Sequence, residues 1–291
     1  MSVHDSSLLS LTEQEADFFK SQTKIYDIEE LRNHIIQVQK KAYDIYPYPC
    51  IRKFAFTSLK IARLPAYNHV LELRKTKPGA ILLDIGCCFG NDIRKAVADG
   101  WPVGDAIASD LNEEFWKCGH ELFKSTPETF PAGFVAGDAF SSTMIEPRLP
   151  FYSPPSSPRP TDLRTLTSLT PLQGHISAIH ASSFFHLFNE VQQLTLAKQL
   201  ATLLSPTPGS IIFGLHISPA IKGTLIFDSE GGPMFCHSPE TWVNVWGGGV
   251  FEKGAVKVEA RIVDWASFGG GPNSEGGVQK ILALLWSVTR L

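Results

Sequence analysis

The strictest limit on the fold comes from a segment of 14 residues that begins at Ile81 and ends at Arg94. Residues 81–85 form a short apolar run with one acid near its end, which is typical of a parallel strand buried on both faces. Gly86 and Gly90 follow, and glycine lets the backbone turn sharply and approach a ligand that side chains would keep away. The segment therefore predicts a strand, a glycine turn and a helix, and nucleotide-like ligands bind at such turns in α/β proteins.

Two further predicted strands each lead to an aspartate. Residues 106–109 precede Asp110, which lies 20 positions after Gly90, and a third apolar stretch precedes Asp138. In doubly wound nucleotide folds an acid about 20 positions beyond the glycine turn accepts hydrogen bonds from ribose hydroxyls. An alternative is that each aspartate only caps the next helix. With Asp84, however, three acids are expected at the carboxyl ends of neighbouring strands, which is where ligands bind in open α/β sheets.

The spacing of the turn distinguishes two classes of cofactor. A dinucleotide-binding turn reads G-x-G-x-x-G, whereas this chain carries Asp84, Gly86, Cys88 and Gly90 at alternate positions. A nicotinamide-dependent dehydrogenase is therefore a weaker alternative, because the glycine spacing that it needs is missing.

On these residues the chain resembles the class I S-adenosylmethionine-dependent methyltransferases. Asp84, Gly86 and Gly90 match the first motif of that family. Asp110 matches its ribose-binding acid, and Asp138 matches the acid that usually contacts the adenine amino group. The resemblance implies S-adenosyl-L-methionine as the cofactor.

The same resemblance implies four further contacts with the cofactor. Cys88 stands where the motif has its middle glycine, and cysteine is small enough to be accommodated there. Leu111 follows the ribose acid, Ala139 follows the adenine acid, and His180 ends the fourth predicted strand.

More narrowly, the chain resembles the fungal methyltransferases of secondary-metabolite clusters that modify terpenoids and meroterpenoids. This closer likeness rests on residues 46–51, on the turn at 84–90 and on residues 180–188, and it extends from about residue 25 to residue 290. The resemblance does not name a substrate.

The strand pattern and the resemblance together predict an α/β fold. We expect a Rossmann-like, doubly wound, mostly parallel seven-stranded sheet with an N-terminal helical lid and a C-terminal antiparallel strand pair. Residues 1–76 form the lid segment and residues 77–291 the methyltransferase core, all within one structural domain. The Pro/Ser-rich stretch at 150–172 is predicted to be a flexible insertion without a catalytic role, and a lid over the site is the alternative.

The lid is expected to contribute to the acceptor pocket. After a predicted helix N-terminus at Asp27, apolar residues recur at helical spacing up to Ile45, and two prolines then interrupt the helix. In the family that the chain resembles, the segment before the first strand covers cofactor and acceptor. We therefore predict that Tyr43, Tyr48 and Arg52 contact the acceptor, Arg52 as an anchor for a carboxylate. The alternative is that these residues only pack the lid.

Methyl transfer sets modest chemical requirements. The sulfonium methyl is already activated, so the protein mainly aligns the acceptor and excludes water. A carboxylate acceptor is ionised at neutral pH, whereas a phenol or an alcohol benefits from a base. His186, expected just after the fourth strand, is the predicted catalytic residue, and the alternative is a histidine that only hydrogen-bonds within the pocket wall. No metal-binding pattern occurs, so we predict metal-independent transfer.

The remaining predicted acceptor contacts are aromatic or lie close to a strand end. They are Phe185, His216 and Trp242. Such residues favour a bulky apolar acceptor, because pockets for small ligands are mostly apolar with a few aimed polar groups. The alternative for each ring is a place in the core.

Composition limits the classes of partner. The chain has 26 basic and 29 acidic residues, a net charge of −3 and no basic cluster, which disfavours nucleic acid and favours a small-molecule acceptor. Five cysteines without a C-x-x-C pair are expected to be reduced thiols. No apolar run reaches the length of a membrane span, and the first residues do not resemble a secretory signal, so we expect a cytoplasmic protein without a stable membrane anchor.

Three functional hypotheses remain at this point. The first is an O-methyltransferase acting on a carboxylate or hydroxyl of a terpenoid or meroterpenoid, with C- or N-methylation as less favoured chemistry. The second is a cyclase or isomerase with the same fold, in which S-adenosylmethionine is structural or supplies a priming methyl. The third is a nonenzymatic regulator that binds S-adenosylmethionine. The acceptor, the methylated position and the oligomeric state are not encoded in a readable pattern.

Overall fold

A computed structural model of the protein describes residues 5–226, 232–268 and 281–291. In these ranges seven strands form one sheet in the order β3-β2-β1-β4-β5-β9-β8. Strands β1 to β5 are parallel, and β9 pairs antiparallel with both β5 and β8. The strands of this sheet are β1 Ile81–Ile85, β2 Ala106–Asp110, β3 Gly133–Ala136, β4 Ile176–His180, β5 Ile211–Ile217, β8 Val256–Asp264 and β9 Leu282–Arg290. The predicted fold class, with its C-terminal antiparallel pair, is confirmed.

Helices cover both faces of the sheet. In β1, Ile81, Leu83 and Ile85 belong to one apolar core and Leu82 belongs to the other, as expected for side chains that alternate along a strand. The first core is covered by α7 and α8, and the second by α4, α5 and α6. These helices are α4 Tyr67–Thr76, α5 Asn91–Ala98, α6 Glu113–Leu122, α7 Glu190–Leu203 and α8 Pro239–Trp246.

The N-terminal segment is helical up to the first strand. Its first three helices are α1 Glu13–Thr23, α2 Ile28–Ile45 and the short α3 Pro49–Arg52. Asp27 caps α2 by accepting the Glu30 N–H at 2.8 Å, as the sequence predicted. The apolar side of these helices forms a third core with Phe89 of the glycine turn and with residues of α6. The segment is therefore packed beside the glycine turn.

The Pro/Ser-rich stretch at 150–172 is irregular, as predicted, but it is packed onto the sheet. Leu163 and Leu172 lie in the first core, because leucines spaced among its polar residues supply apolar surface to bury. Arg159 donates to the Gly79 carbonyl at 2.9 Å and pairs with Asp105. Since Gly79 and Asp105 lie just before β1 and β2, this contact is at the amino ends of the strands, opposite the carboxyl edge.

A second sheet is small and contains strands β6 Gly223–Leu225 and β7 Met234–Cys236 in antiparallel pairing. The glycine-rich stretch at 269–277, after which the sequence predicted the last strand, lies outside the described residues. Within the described ranges, no helix combines the length and the apolar character that crossing a membrane requires.

Candidate functional site

The glycine turn adopts a conformation that few side chains tolerate. Gly86, Cys88 and Gly90 have φ values of 68°, 51° and 70°, all in the left-handed region. A Cβ atom on Gly86 would lie 2.6 Å from the Phe184 ring, and one on Gly90 would lie 2.4 Å from the Trp116 ring. Two glycines are therefore required by both backbone conformation and space.

Cys88 is accommodated in the middle of the turn because a residue outside the turn binds its backbone. Its N–H donates to Asp110 Oδ2 at 2.8 Å, which links the turn to the end of the neighbouring strand. Burial raises the pKa values of the Cys87 and Cys88 thiols well above their usual range. Both thiols are therefore protonated at neutral pH, which suits a packing role rather than a nucleophilic one.

Asp110 is the last residue of β2 and connects the turn to the next loop. Its Oδ1 accepts the Asn112 N–H at 3.2 Å, while its Oδ2 accepts from Cys88. Burial raises the pKa of Asp110, although its hydrogen bonds from backbone N–H groups oppose the shift. Each carboxylate oxygen keeps a further lone pair that can accept a hydrogen bond from a ligand hydroxyl.

An open groove of about 440 Å³ lies at the segment that follows Asp110. It is lined by Tyr46, Tyr48, Leu111, Asn112, Glu113, Phe115 and Ala136. Asp138 lies two positions beyond β3, is exposed, and accepts the Phe140 N–H at 2.9 Å, while its neighbour Ala139 is buried. The groove and the two aspartates thus follow the carboxyl ends of β2 and β3.

Asp84 and His180 form a buried pair between β1 and β4. His180 Nδ1 lies 2.8 Å from Asp84 Oδ1, and its Nε2 lies 2.7 Å from the Ser182 hydroxyl. Burial lowers the pKa of His180, but the carboxylate of Asp84 outweighs this effect and the pKa lies above its ordinary value. Among the described residues, the other oxygen of Asp84, Oδ2, is buried without a hydrogen-bond partner.

His186 has one ring nitrogen already occupied. Its Nδ1 accepts the Ile217 N–H at 3.1 Å, so the neutral ring carries its proton on Nε2. Burial lowers the pKa of His186 to about 4, so the ring is neutral at pH 7. In this arrangement Nε2 is a hydrogen-bond donor and is not available as a base.

Three predicted acceptor contacts lie inside an aromatic core. The Phe185 ring lies 4.9 Å from that of Trp242, and both side chains are fully buried. His216 is also buried and accepts from Trp286 Nε1 through its Nδ1 at 3.1 Å. The structure therefore does not place Phe185, His216 or Trp242 on an open surface of the site.

The lid residues occupy different surroundings. Tyr48 lies between Tyr46 and Phe115, with ring centroids at 4.3 and 5.8 Å, and so lies on the groove side near Asp110. Tyr43 packs against the N-terminal core, and Arg52 is half-buried at the end of α3. The structure thus groups Tyr48 with the predicted cofactor residues.

Two polar residues of this region were not predicted from the sequence. Ser182 is bound to His180, and Lys60 is buried in the segment that precedes α4. The position of Ser182, two residues after a strand end, could have indicated a site residue from the sequence. A lone lysine in a loop, such as Lys60, gives no such indication. Groups of three or more side chains suited to a metal ion do not occur within the described part of the chain.

The chain is similar to known fungal proteins along most of its length. Residues 4–57 match the family model of a meroterpenoid methyltransferase N-terminal domain. The methyltransferase ausD of Aspergillus calidoustus is 29% identical, with a match that covers 75% of this chain and 70% of that protein. The O-methyltransferase atr3 of Stereocaulon alpinum is 30% identical, with coverage of 83% of this chain and 63% of that protein.

Two more similarities concern a further fungal protein and a solved structure. The asnovolin E/chermesin D methyltransferase nvfJ of Aspergillus novofumigatus is 31% identical over 65% of this chain and 59% of that protein. A solved 1,6-didemethyltoxoflavin N1-methyltransferase of Burkholderia thailandensis, with bound S-adenosylhomocysteine, is 12% identical with a TM-score of 0.49, covering 97% of this chain and 91% of that one. The chain thus spans less than two thirds of the length of the nvfJ and atr3 proteins.

Proposed function

Because this chain is related to the fungal methyltransferases of secondary metabolism, we propose that it transfers a methyl group from S-adenosylmethionine to an oxygen of a bulky apolar small molecule. The relatives support the reaction class, and the residues of the carboxyl edge support the cofactor. A terpenoid or meroterpenoid acceptor is proposed from the names of the relatives.

The observation that carries the proposal is the position of Asp110. Its carboxylate joins the glycine turn through Cys88 at the end of β2, and the next two residues, Leu111 and Asn112, line the groove. In this position Asp110 would bind the ribose hydroxyls. Asp138 would contact the adenine amino group, while Leu111 and Ala139 would line its pocket. The unpartnered Oδ2 of Asp84 also suits a ligand that brings a hydrogen-bond donor.

When bound, the cofactor supplies an activated methyl group, and the protein supplies position and protection from water. His186 supports a particular acceptor, because its Nδ1 is occupied and its Nε2 can only donate a hydrogen bond. A hydrogen-bond donor can hold a carboxylate in position, but it does not remove the proton of an alcohol. We therefore favour a carboxylate acceptor, which forms a methyl ester, over a hydroxyl acceptor.

An apolar surface near the carboxyl edge supports a bulky acceptor. Leu187, Val191 and Ile221 are 58%, 74% and 78% exposed. Lys222 pairs with Glu190, which brings the residues around Ile221 to the start of α7. If these apolar side chains form one patch, they would suit an apolar ligand, because contiguous exposed apolar patches mark binding sites.

The test uses S-adenosylmethionine with an isotopically labelled methyl group. The protein is incubated with a panel of terpenoid and meroterpenoid carboxylic acids, each matched by the corresponding primary alcohol, and products are analysed by mass spectrometry. We expect labelled products from acids, and mild alkali should release the label as methanol because esters hydrolyse and ethers do not.

Three results would contradict parts of this proposal. Label in the alcohol products alone would refute the carboxylate acceptor, and label stable to alkali in acid products would indicate ether formation at a hydroxyl or C- or N-methylation. A rearranged acceptor without added mass would favour the cyclase or isomerase. Bound S-adenosylhomocysteine without any turnover across the panel would favour the nonenzymatic regulator. Cytoplasmic localisation and metal-independent transfer stay predictions.

A further inference from the structure

Lys60 is a buried basic residue that has no carboxylate partner among the described residues. Lys60 is only 8% exposed, and its Nζ donates to the Ala55 carbonyl at 3.2 Å. Within the described ranges, Lys60 has no carboxylate oxygen within the 4.0 Å of an ion pair. Burial of an ammonium group is costly unless an anion compensates for the lost hydration. An ammonium in this state is suited to an anionic ligand.

The backbone around Lys60 is fixed to the start of α5, immediately after the glycine turn. The Ile61 N–H donates to Asp92 Oδ1 at 2.9 Å, and Asn91 Nδ2 donates to the Ser58 carbonyl at 2.8 Å. In the same segment, the centroid of the Phe56 ring lies 4.5 Å from that of Phe89 in the turn. Lys60 is therefore held beside the turn by contacts on both of its sides.

The opposite charge lies on the strand that leads into the same turn. Asp84 is 3% exposed, and its Oδ2 lacks a partner among the described residues. The charges of Lys60 and Asp84 both act on the buried Asp92 and on His180, with opposite effects on their pKa values. By geometry, Lys60 lies in the segment bound to the start of α5 and Asp84 lies in β1, so the two residues are on segments that adjoin the same glycine turn.

We propose that Lys60 binds the α-carboxylate, and Asp84 the α-ammonium group, of the amino-acid end of the cofactor. The zwitterionic end of S-adenosylmethionine or S-adenosylhomocysteine has one charge for each of these residues. This inference rests on the proposed function, since it assumes that the adenosine part lies beside Asp110. It adds a residue from the lid segment to the cofactor site.

The test compares two ligands that share the adenosine part. S-adenosylhomocysteine has the amino-acid end, and 5′-methylthioadenosine lacks it. Their dissociation constants are measured by titration calorimetry for wild type, Lys60→Met and Lys60→Arg. Lys53→Met is the control, because Lys53 is an exposed lysine of the same segment.

For Lys60→Met we expect binding of S-adenosylhomocysteine to weaken by about 10-fold to 100-fold, the range for a lost hydrogen bond between charged groups. Affinity for 5′-methylthioadenosine should change less than about 3-fold in the same variant, because this ligand has no carboxylate. Lys60→Arg should recover part of the lost affinity, and Lys53→Met should match wild type with both ligands. Recovery by arginine also separates a lost charge from a folding defect.

Other outcomes would overturn the inference. Equal weakening for both ligands in Lys60→Met would indicate general damage to the site, and no weakening for either would remove Lys60 from it. Unchanged S-adenosylhomocysteine binding with a raised KM for the acceptor would assign Lys60 to the acceptor carboxylate instead. If wild type binds neither ligand, the proposed function itself fails, which is a different result from a failure at Lys60 alone.

Discussion

Replacement of Gly90 by alanine should destabilise the protein for two reasons, the cost of a positive φ for alanine and the steric overlap of the new Cβ. Alanine at a φ of 70° costs roughly 1 to 2 kcal/mol. The new Cβ would lie 2.4 Å from the Trp116 ring, which is stacked on Phe134 with centroids 4.9 Å apart and so has little room to move. Overpacking of this kind costs about 1 to 3 kcal/mol, and the stiffer unfolded chain returns about 0.4 to 1 kcal/mol. We expect the free energy of unfolding, measured by urea denaturation, to fall by about 1 to 4.5 kcal/mol.

Substitutions at two other glycines separate the backbone cost from the steric cost. Gly254 has a φ of 83° but its added Cβ would meet nothing within 4 Å, so Gly254→Ala should show the backbone cost alone. Gly104 does not have a positive φ, and its added Cβ would have as much open space as that of Gly254. Gly104→Ala should therefore leave the free energy of unfolding unchanged or raise it slightly. If Gly90→Ala proved as mild as Gly254→Ala, Trp116 would not lie against the turn, and the described geometry of the site would be wrong.

Further predictions concern the polar residues of the site. Asp110→Asn should weaken S-adenosylhomocysteine binding by about 10-fold to 100-fold in calorimetry, because one charge-assisted hydrogen bond to the ribose is lost; an unchanged affinity would remove the ribose assignment. His180 has a raised pKa in the folded state, so its charged form stabilises the protein below the unfolded pKa of about 6.5, and that contribution is lost as the pH rises through the folded value. The difference in unfolding free energy between wild type and His180→Asn should therefore shrink from pH 6 towards pH 9, and a constant or growing difference would contradict the Asp84 pairing. Since burial holds the pKa of His186 at about 4, kcat/KM for an acid acceptor should show no titration of this residue between about pH 6 and 8, whereas His186→Ala should lower kcat about 10-fold or more; a His186-dependent inflection near pH 6.5 would restore the base role.

The fold was predictable because its signals are local. Each strand of the parallel sheet is a short apolar run, and the turn after β1 is set by glycines whose φ values only glycine adopts easily. Asp84 and Asp110 reach the carboxyl edge because they lie at or next to the ends of their strands, and this position follows from the sequence alone. The antiparallel pairing of β8 and β9 was likewise indicated by alternating apolar residues.

Several roles at the site depended instead on contacts between distant residues. His186 and Ile217 are 31 positions apart, and only their hydrogen bond determines which ring nitrogen of His186 carries the proton. Trp242 could be assigned to a pocket or to the core from its sequence context, and packing against Phe185 buries it. The stretch at 150–172 has the composition of a mobile loop, yet Leu163 and Leu172 attach it to the sheet.

The sequence by itself determined the order of the elements, the glycine turn and the strand ends at which the candidate site lies, because these follow from the repeat of side chains along each strand and from the limits on φ. The tertiary structure alone decided that Lys60 is buried with no carboxylate partner in the described part of the chain, that Asp84 pairs with His180, and that Nδ1 of His186 is occupied. Burial and hydrogen bonding set the charge and proton position of a side chain, and both are properties of its neighbours in space.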